Sequence, residues 1–304
     1  MTIIIDEASA ELASFFYPQD KYYKFKGESC DSTNYVGAKC DNTNIGSINK
    51  PVQIVKIKIK SQIDILNDIE KQLDKQKTKL SECIWIVKDV KQRECAEALG
   101  VAAIGEPDTG THYAVENLYD IDIEYLERVL RRHNSIPWDI GTTDRCLIRE
   151  LSLDDIPALY ELYAKPGMTR YVEPLYEYDK EIEYEKSYIK HMYGFYEYGM
   201  WLVFDRDSGQ LIGRAGLEHR DYGDETELEM GYMIAPEYQR AGYATEVCRF
   251  IIDYARENTA FERINCLIDH DNAASIRLVE KLGFEYAGQS DASGELLDRY
   301  ILAI

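Results

Sequence analysis

Two acids spaced two apart, Glu227 and Glu229, stand in a segment whose alternation predicts a β-strand over residues 226–234. Period-two geometry puts them on one strand face with Gly231 and Met233. A free alkylamine has a pKa of about 10, so its nitrogen must shed a proton before it can attack a carbonyl. Carboxylates placed this way suit that task, directly or through water. Glu229 stands first for the role and Glu227 second; the other reading of both is a solvated or salt-bridged strand face. An approaching cation lowers a carboxylate's pKa, so strong basicity requires burial.

The strand runs into Pro236, which has no N–H for a ladder, and then into Gln239-Arg240-Ala241-Gly242-Tyr243-Ala244. A helix is predicted from about Gly242, with Val247, Phe250, Ile251, Tyr254 and Ala255 on its inner face. A helix N-terminus leaves about four N–H groups unpaired, and its dipole favours anions. Gly242 and Ala244 offer little side chain to obstruct a phosphate, and Arg240 adds a fixed positive charge. The turn could therefore hold a pyrophosphate through main-chain donors. The bland alternative is an ordinary glycine-containing helix start. Gly242→Val is expected to block phosphate approach and leave the fold intact.

Residues 239–244 resemble the Gln/Arg-x-x-Gly-x-Gly/Ala motif of the GNAT N-acetyltransferases. Residues 271–284, with Asn272, Ser275 and Glu280-Lys281-Leu282-Gly283-Phe284, resemble that family's next block. The likeness covers the chain from Arg145 onward and looks most like the ribosomal-protein alanine acetyltransferase branch. It implies a mixed, mostly antiparallel sheet with a central parallel splay and helices on both faces. It implies acetyl-CoA as co-substrate and no metal. Met233 and Ile234 would offer backbone groups to pantetheine, Gln239, Arg240, Ala241, Gly242, Tyr243 and Ala244 would hold the pyrophosphate, and Asn272 and Ser275 would touch the cofactor. Asn272 has a second reading as a helix cap. The acceptor would be a primary amine, on a protein N-terminus or a small cationic molecule; the rival is a non-catalytic acyl-CoA sensor. One departure stands out. Val279 occupies the place where many members carry a tyrosine that protonates the leaving thiolate.

Positioning these groups needs a whole domain, and residues 141–304 supply one. A strand at 146–150 leads to a helix from 154–155, a tyrosine-rich helix over 179–198, and strands at 201–205 and 211–219. The resemblance implies that the splay's two parallel strands are 226–234 and 263–268. Ten tyrosines fall between Tyr160 and Tyr198, either lining a cleft for cations or simply packing. Residues 1–140 form a separate α/β unit. Strands at 52–60, 83–87, 101–104 and 115–118 alternate with helices at 61–80, 91–99 and 122–133. Residues 27–50 read as a loop, Tyr17-Pro18 as a turn and 134–141 as the linker. Residues 83–133 resemble, faintly, the last strands of a haloacid-dehalogenase-like Rossmannoid domain. Asp120-Ile121-Asp122 lacks that family's threonine and reads as a helix cap, so no phosphatase activity is expected. Regulation, homodimerisation or substrate recruitment remain for this unit.

The charge of −20 is divided −5 over residues 1–140 and −15 over 141–304. That field repels nucleic acid and would attract amines; the bland reading is solubility alone. Seven cysteines without a Cys-x-x-Cys pair, no run long enough to span a bilayer, and no basic, apolar leader point to a reduced cytoplasmic protein away from membranes. His191, His219 and His270 lack metal-ligand spacing.

Overall fold

The computed structural model describes residues 1–6, 53–57, 69, 73, 78–222, 225–292 and 295–304. The readings at Tyr17, at 27–50 and over most of 61–80 lie outside these residues. The chain divides into two compact units, Met1–Ile136 and Pro137–Ile304.

The first unit holds a five-stranded sheet in the order β2-β1-β3-β4-β5, parallel throughout. Its strands are β1 (Thr2–Asp6), β2 (Gln53–Ile57), β3 (Cys83–Ile86), β4 (Ala102–Gly105) and β5 (Tyr113–Ala114). Alternation sorts its apolar residues into two cores. Ile3, Ile5, Ile84, Ile86 and Ile104 face Leu126 and Val129 of α2 (Ile123–His133). Ile4, Trp85 and Val87 face Cys95 and Ala96 of α1 (Val90–Leu99), together with Ile69 and Leu73, which are helical and buried. Asp122 caps α2 by accepting from the Tyr125 N–H at 2.7 Å. The strand expected at 115–118 is displaced to Tyr113–Ala114. Asn117 accepts from the Tyr119 N–H and turns Leu118–Asp120 into a short 3-10 helix instead.

The second unit is built on eight strands in the order β12-β13-β11-β10-β9-β8-β7-β6. They are β6 (Asp139–Thr142), β7 (Cys146–Arg149), β8 (Met200–Asp205), β9 (Leu211–Tyr222), β10 (Glu225–Ile234), β11 (Arg263–Ile268), β12 (Glu285–Ala292) and β13 (Glu295–Ala303). β6 corrects the linker reading of 134–141: despite Pro137 and Gly141, residues 139–142 pair with β7. All neighbours are antiparallel except β10 and β11. The helices are α3 (Ile156–Tyr163), α4 (Tyr178–Tyr188), α5 (Tyr243–Asn258) and α6 (Ala273–Leu282). The expected helix over 179–198 is α4 followed by a π-helical stretch, Ile189–Tyr196. Buried Glu185 pins α4 to buried Arg214 of β9 at 2.9 Å. Val247, Cys248, Ile251 and Ala255 seat α5 in the core with Leu228 and Met230 of β10. Among the described residues no helix is long and apolar enough to cross a membrane.

Candidate active site

β10 is held on one side along its whole length, from Glu225 opposite Tyr222 to Ile234 opposite Gly213. On its other side it pairs with β11 only at Leu228↔Ile264 and Glu229↔Asn265. Beyond Glu229 the two parallel strands part. Past that point β10 runs on through residues 230–234 to the turn before α5 without a further ladder pair to β11, though Cys266 Sγ still reaches the Met230 carbonyl at 3.5 Å.

That turn is exposed from Gln239 to Gly242. Arg240 has φ 60° and Gly242 φ 89°, so the backbone is twice left-handed within three residues. Gly242 is the N-cap of α5 and provides no side-chain hydrogen bond. The first helical bond is Glu246 N–H to the Gly242 carbonyl at 3.1 Å. The amides of Tyr243, Ala244 and Thr245 precede it and lie among the helix's orphan donors. An uncapped N-terminus under a solvent-open turn of small residues fits a diphosphate. The Gln239 side chain fastens the turn to the strand end, its Nε2 donating to the Ile234 carbonyl at 2.9 Å. The left-handed Gly242 also revises the expectation for Gly242→Val. A branched residue disfavours that conformation, so valine would disturb the turn itself.

The turn rests on groups the sequence reading missed. Arg145 donates from Nη1 to the Ala241 carbonyl (3.0 Å) and forms an ion pair with Glu246 at 2.6 Å. Its guanidinium lies 4.0 Å from the centroid of the Tyr243 ring. Glu246 also accepts from Thr143 Oγ1 and from the Arg145 N–H. Burial would raise its carboxyl, but these bonds outweigh that and hold it below the usual range. Tyr243 turns its hydroxyl to Asp205 at 3.2 Å. Partners about a hundred residues apart leave no local signal.

Asn272 caps α6, accepting from the Ser275 N–H at 3.2 Å. The Ser275 carbonyl accepts from the Tyr232 hydroxyl at 3.4 Å. Val279 is fully buried in the core.

The two acids of β10 separate in role. Glu227 is 5% exposed and bound on several sides: Asn265 Nδ2 donates to it at 2.5 Å, with Arg299 at 2.8 Å and Arg263 at 3.2 Å. It joins β10 to β11 and β13, and its oxygens are engaged in that cluster. Glu229 accepts from the Tyr222 hydroxyl at 3.1 Å and pairs with Arg220 at 2.5 Å. Burial lifts its carboxyl above the usual glutamate range, against the opposing pull of Arg220. Directly across the ladder stands Glu218. Its Oε1 accepts from the Tyr188 hydroxyl at 2.7 Å.

Glu218 opens onto a pocket of 330 Å³ lined by Tyr184, Ser187, Tyr188, His191, Met192 and His219. The tyrosines of 160–198 therefore divide. Tyr193 is core, while Tyr176, Tyr184 and Tyr188 form a ring-to-ring chain with centroids 5.5 and 5.9 Å apart.

Known proteins resemble the second unit in sequence. The family model for the acetyltransferase (GNAT) domain matches residues 145–285. The uncharacterized N-acetyltransferase YoaA of Bacillus subtilis is 32% identical over 149 residues, 48% of this chain and 82% of YoaA. The spermidine N(1)-acetyltransferase of Escherichia coli K12 is 25% identical over 144 residues, 47% of this chain and 74% of that protein. The solved ribosomal-protein-S5-alanine acetyltransferase from Vibrio fischeri is 14% identical, with a TM-score of 0.46, covering 55% of this chain and 96% of that one. The chain belongs to the GNAT acetyltransferase family. It is an N-acetyltransferase of that family, with the domain in its second unit. Nothing in these matches supports the haloacid-dehalogenase-like resemblance of the first unit.

Proposed function

We propose that the protein transfers an acetyl group from acetyl-CoA to a primary amine, carried by a small cationic molecule or a protein N-terminus. The parting of β10 from β11 just past Glu229 carries this reading, because it opens a slot between the carboxylate and the uncapped start of α5. Acetyl-CoA supplies the activated acyl group as a thioester. The amides of residues 242–244 hold its diphosphate, with Arg240 adding charge and Arg145 fixing the turn's shape. Met233 and Ile234 border the pantetheine arm, and Asn272 and Ser275 border it from α6. The amine nitrogen forms the C–N bond as the C–S bond breaks. Glu229 takes the amine's proton, directly or through water, and its raised pKa makes it a better acceptor than an ordinary carboxylate. Val279 has no proton to give, so another tyrosine or water must protonate the departing thiolate. The described cysteines are buried free thiols, which suits a cytoplasmic setting.

The test is release of free thiol from acetyl-CoA by the full chain with a panel of alkylamines, diamines and peptides with free N-termini. Amine-dependent release that Glu229→Gln abolishes, with acetyl-CoA binding retained, supports the reading. Acetyl-CoA binding without release across the panel would make the protein an acyl-CoA sensor instead.

A further inference from the structure

Glu218 and Glu229 are register partners on neighbouring antiparallel strands, so their side chains leave the same sheet face. Directly opposed residues have Cβ atoms about 5 Å apart, and like charges so placed destabilise a sheet. Arg220 answers the charge of Glu229. The bond described for Glu218 is with a neutral hydroxyl, that of Tyr188. Among the described residues no lysine or arginine lies within ion-pair distance of Glu218. A face that keeps this second acid in place is arranged to receive a cation.

The surroundings of Glu218 define which cation. The pocket's 330 Å³ is roughly ten times the ~30 Å³ share of one water, enough for a short hydrocarbon chain. Tyr184 and Tyr188 present rings, which attract ammonium groups through their faces, and Met192 adds an adaptable apolar wall. Ser187 and His191 give a polar rim. Aromatic and methylene walls with one carboxylate suit an alkylammonium better than a peptide backbone, whose amides would need partners these walls do not provide. The −15 charge of residues 141–304 draws such cations in.

We infer that the acceptor is a linear alkyl diamine or polyamine and that Glu218 is its specificity-determining residue. One amine reacts beside Glu229, while the remote ammonium sits on Glu218 between Tyr184, Tyr188 and Met192. This rests on the transfer reaction proposed above, and one experiment separates the two.

Calorimetric titration of the full chain, in the presence of coenzyme A, compares diaminobutane, butylamine and a short peptide with a free N-terminal alanine. Diaminobutane is expected to bind at least about tenfold tighter than butylamine, the worth of one charge-assisted hydrogen bond. Glu218→Gln is expected to collapse that ratio toward one. Met192→Lys, which places a fixed ammonium in the pocket, is expected to do the same through a different wall. A ratio near one in the wild type, a ratio untouched by both variants, or tighter binding of the peptide would overturn the inference. Thiol release is followed on the same samples. Glu218-dependent diamine binding without release keeps the pocket and overturns the transfer; release with butylamine and no diamine preference does the reverse.

Discussion

Replacing Gly242 with alanine adds one methyl group at the point where the diphosphate is placed. Gly242 has φ 89° and ψ −3°, a left-handed conformation that disfavours any residue with a Cβ by about 1–2 kcal/mol. The added Cβ would meet only Arg145 Nη2, at 3.4 Å, so the protein itself leaves room for it. For a unit of this size that strain lowers Tm by about 2–8 °C. Gly283 provides the control. It closes α6 at φ 96°, and a Cβ there would meet Leu302 Cδ1 at an ordinary 3.7 Å. Gly283→Ala thus carries a similar strain in a different place. Only Gly242→Ala puts its methyl against the ligand, where displacing one amide–phosphate hydrogen bond costs about 1.5–3 kcal/mol, or roughly tenfold to a hundredfold in affinity. Thermal melts should show comparable losses for the two variants. Acetyl-CoA titration should show weakened binding for Gly242→Ala alone. Equal acetyl-CoA affinity in both variants would refute the placement of the diphosphate.

Glu229→Gln is expected to lower kcat by roughly a hundredfold or more while acetyl-CoA still binds, as loss of a general base would; steady-state kinetics with titration decides it, and an undiminished kcat would remove Glu229 from the chemistry. Because burial raises its pKa, the ionised form of Glu229 is reached only above the usual glutamate value of about 4.3, so kcat/KM should rise with pH through that higher value. Arg220→Met removes the charge that opposes this shift and should move the acidic limb of the pH profile further up; a limb that moves down would contradict the assignment. Glu227→Gln should destabilise the protein by about 1–3 kcal/mol in a denaturant titration, because Arg299 and Arg263 lose their shared anionic partner and one acceptor oxygen becomes a donor, and its effect on kcat should be far smaller than that of Glu229→Gln.

What was legible in the sequence depended on how local its cause is. The turn before α5 could be read because glycine, proline and helix periodicity act through neighbouring residues. Alternation put Glu227 and Glu229 on one face of β10, and they are there. It could not show that Asn265 and Arg299, 38 and 72 residues away in sequence, would enclose Glu227. Arg145 was invisible as a support for Ala241 for the same reason, since 96 residues separate them. Glu218 went unnoticed because its importance comes from register, set by the β9–β10 pairing and not by its neighbours in the chain. Residues 134–141 looked like a linker because Pro137 and Gly141 are turn formers, and pairing with β7 overrode that preference from Asp139 on. Asn272 was the ambiguous case: the cap is seen, and one side-chain oxygen used for capping leaves its amide nitrogen for a ligand.

A crystal structure of the full chain with coenzyme A is the most direct measurement. The diphosphate oxygens should lie within hydrogen-bond distance, about 3 Å, of the amides of residues 242–244, with the pantetheine arm in the gap between β10 and β11 and the sulfur beside Glu229. A nucleotide bound elsewhere, with the start of α5 left to solvent, would contradict the proposed site.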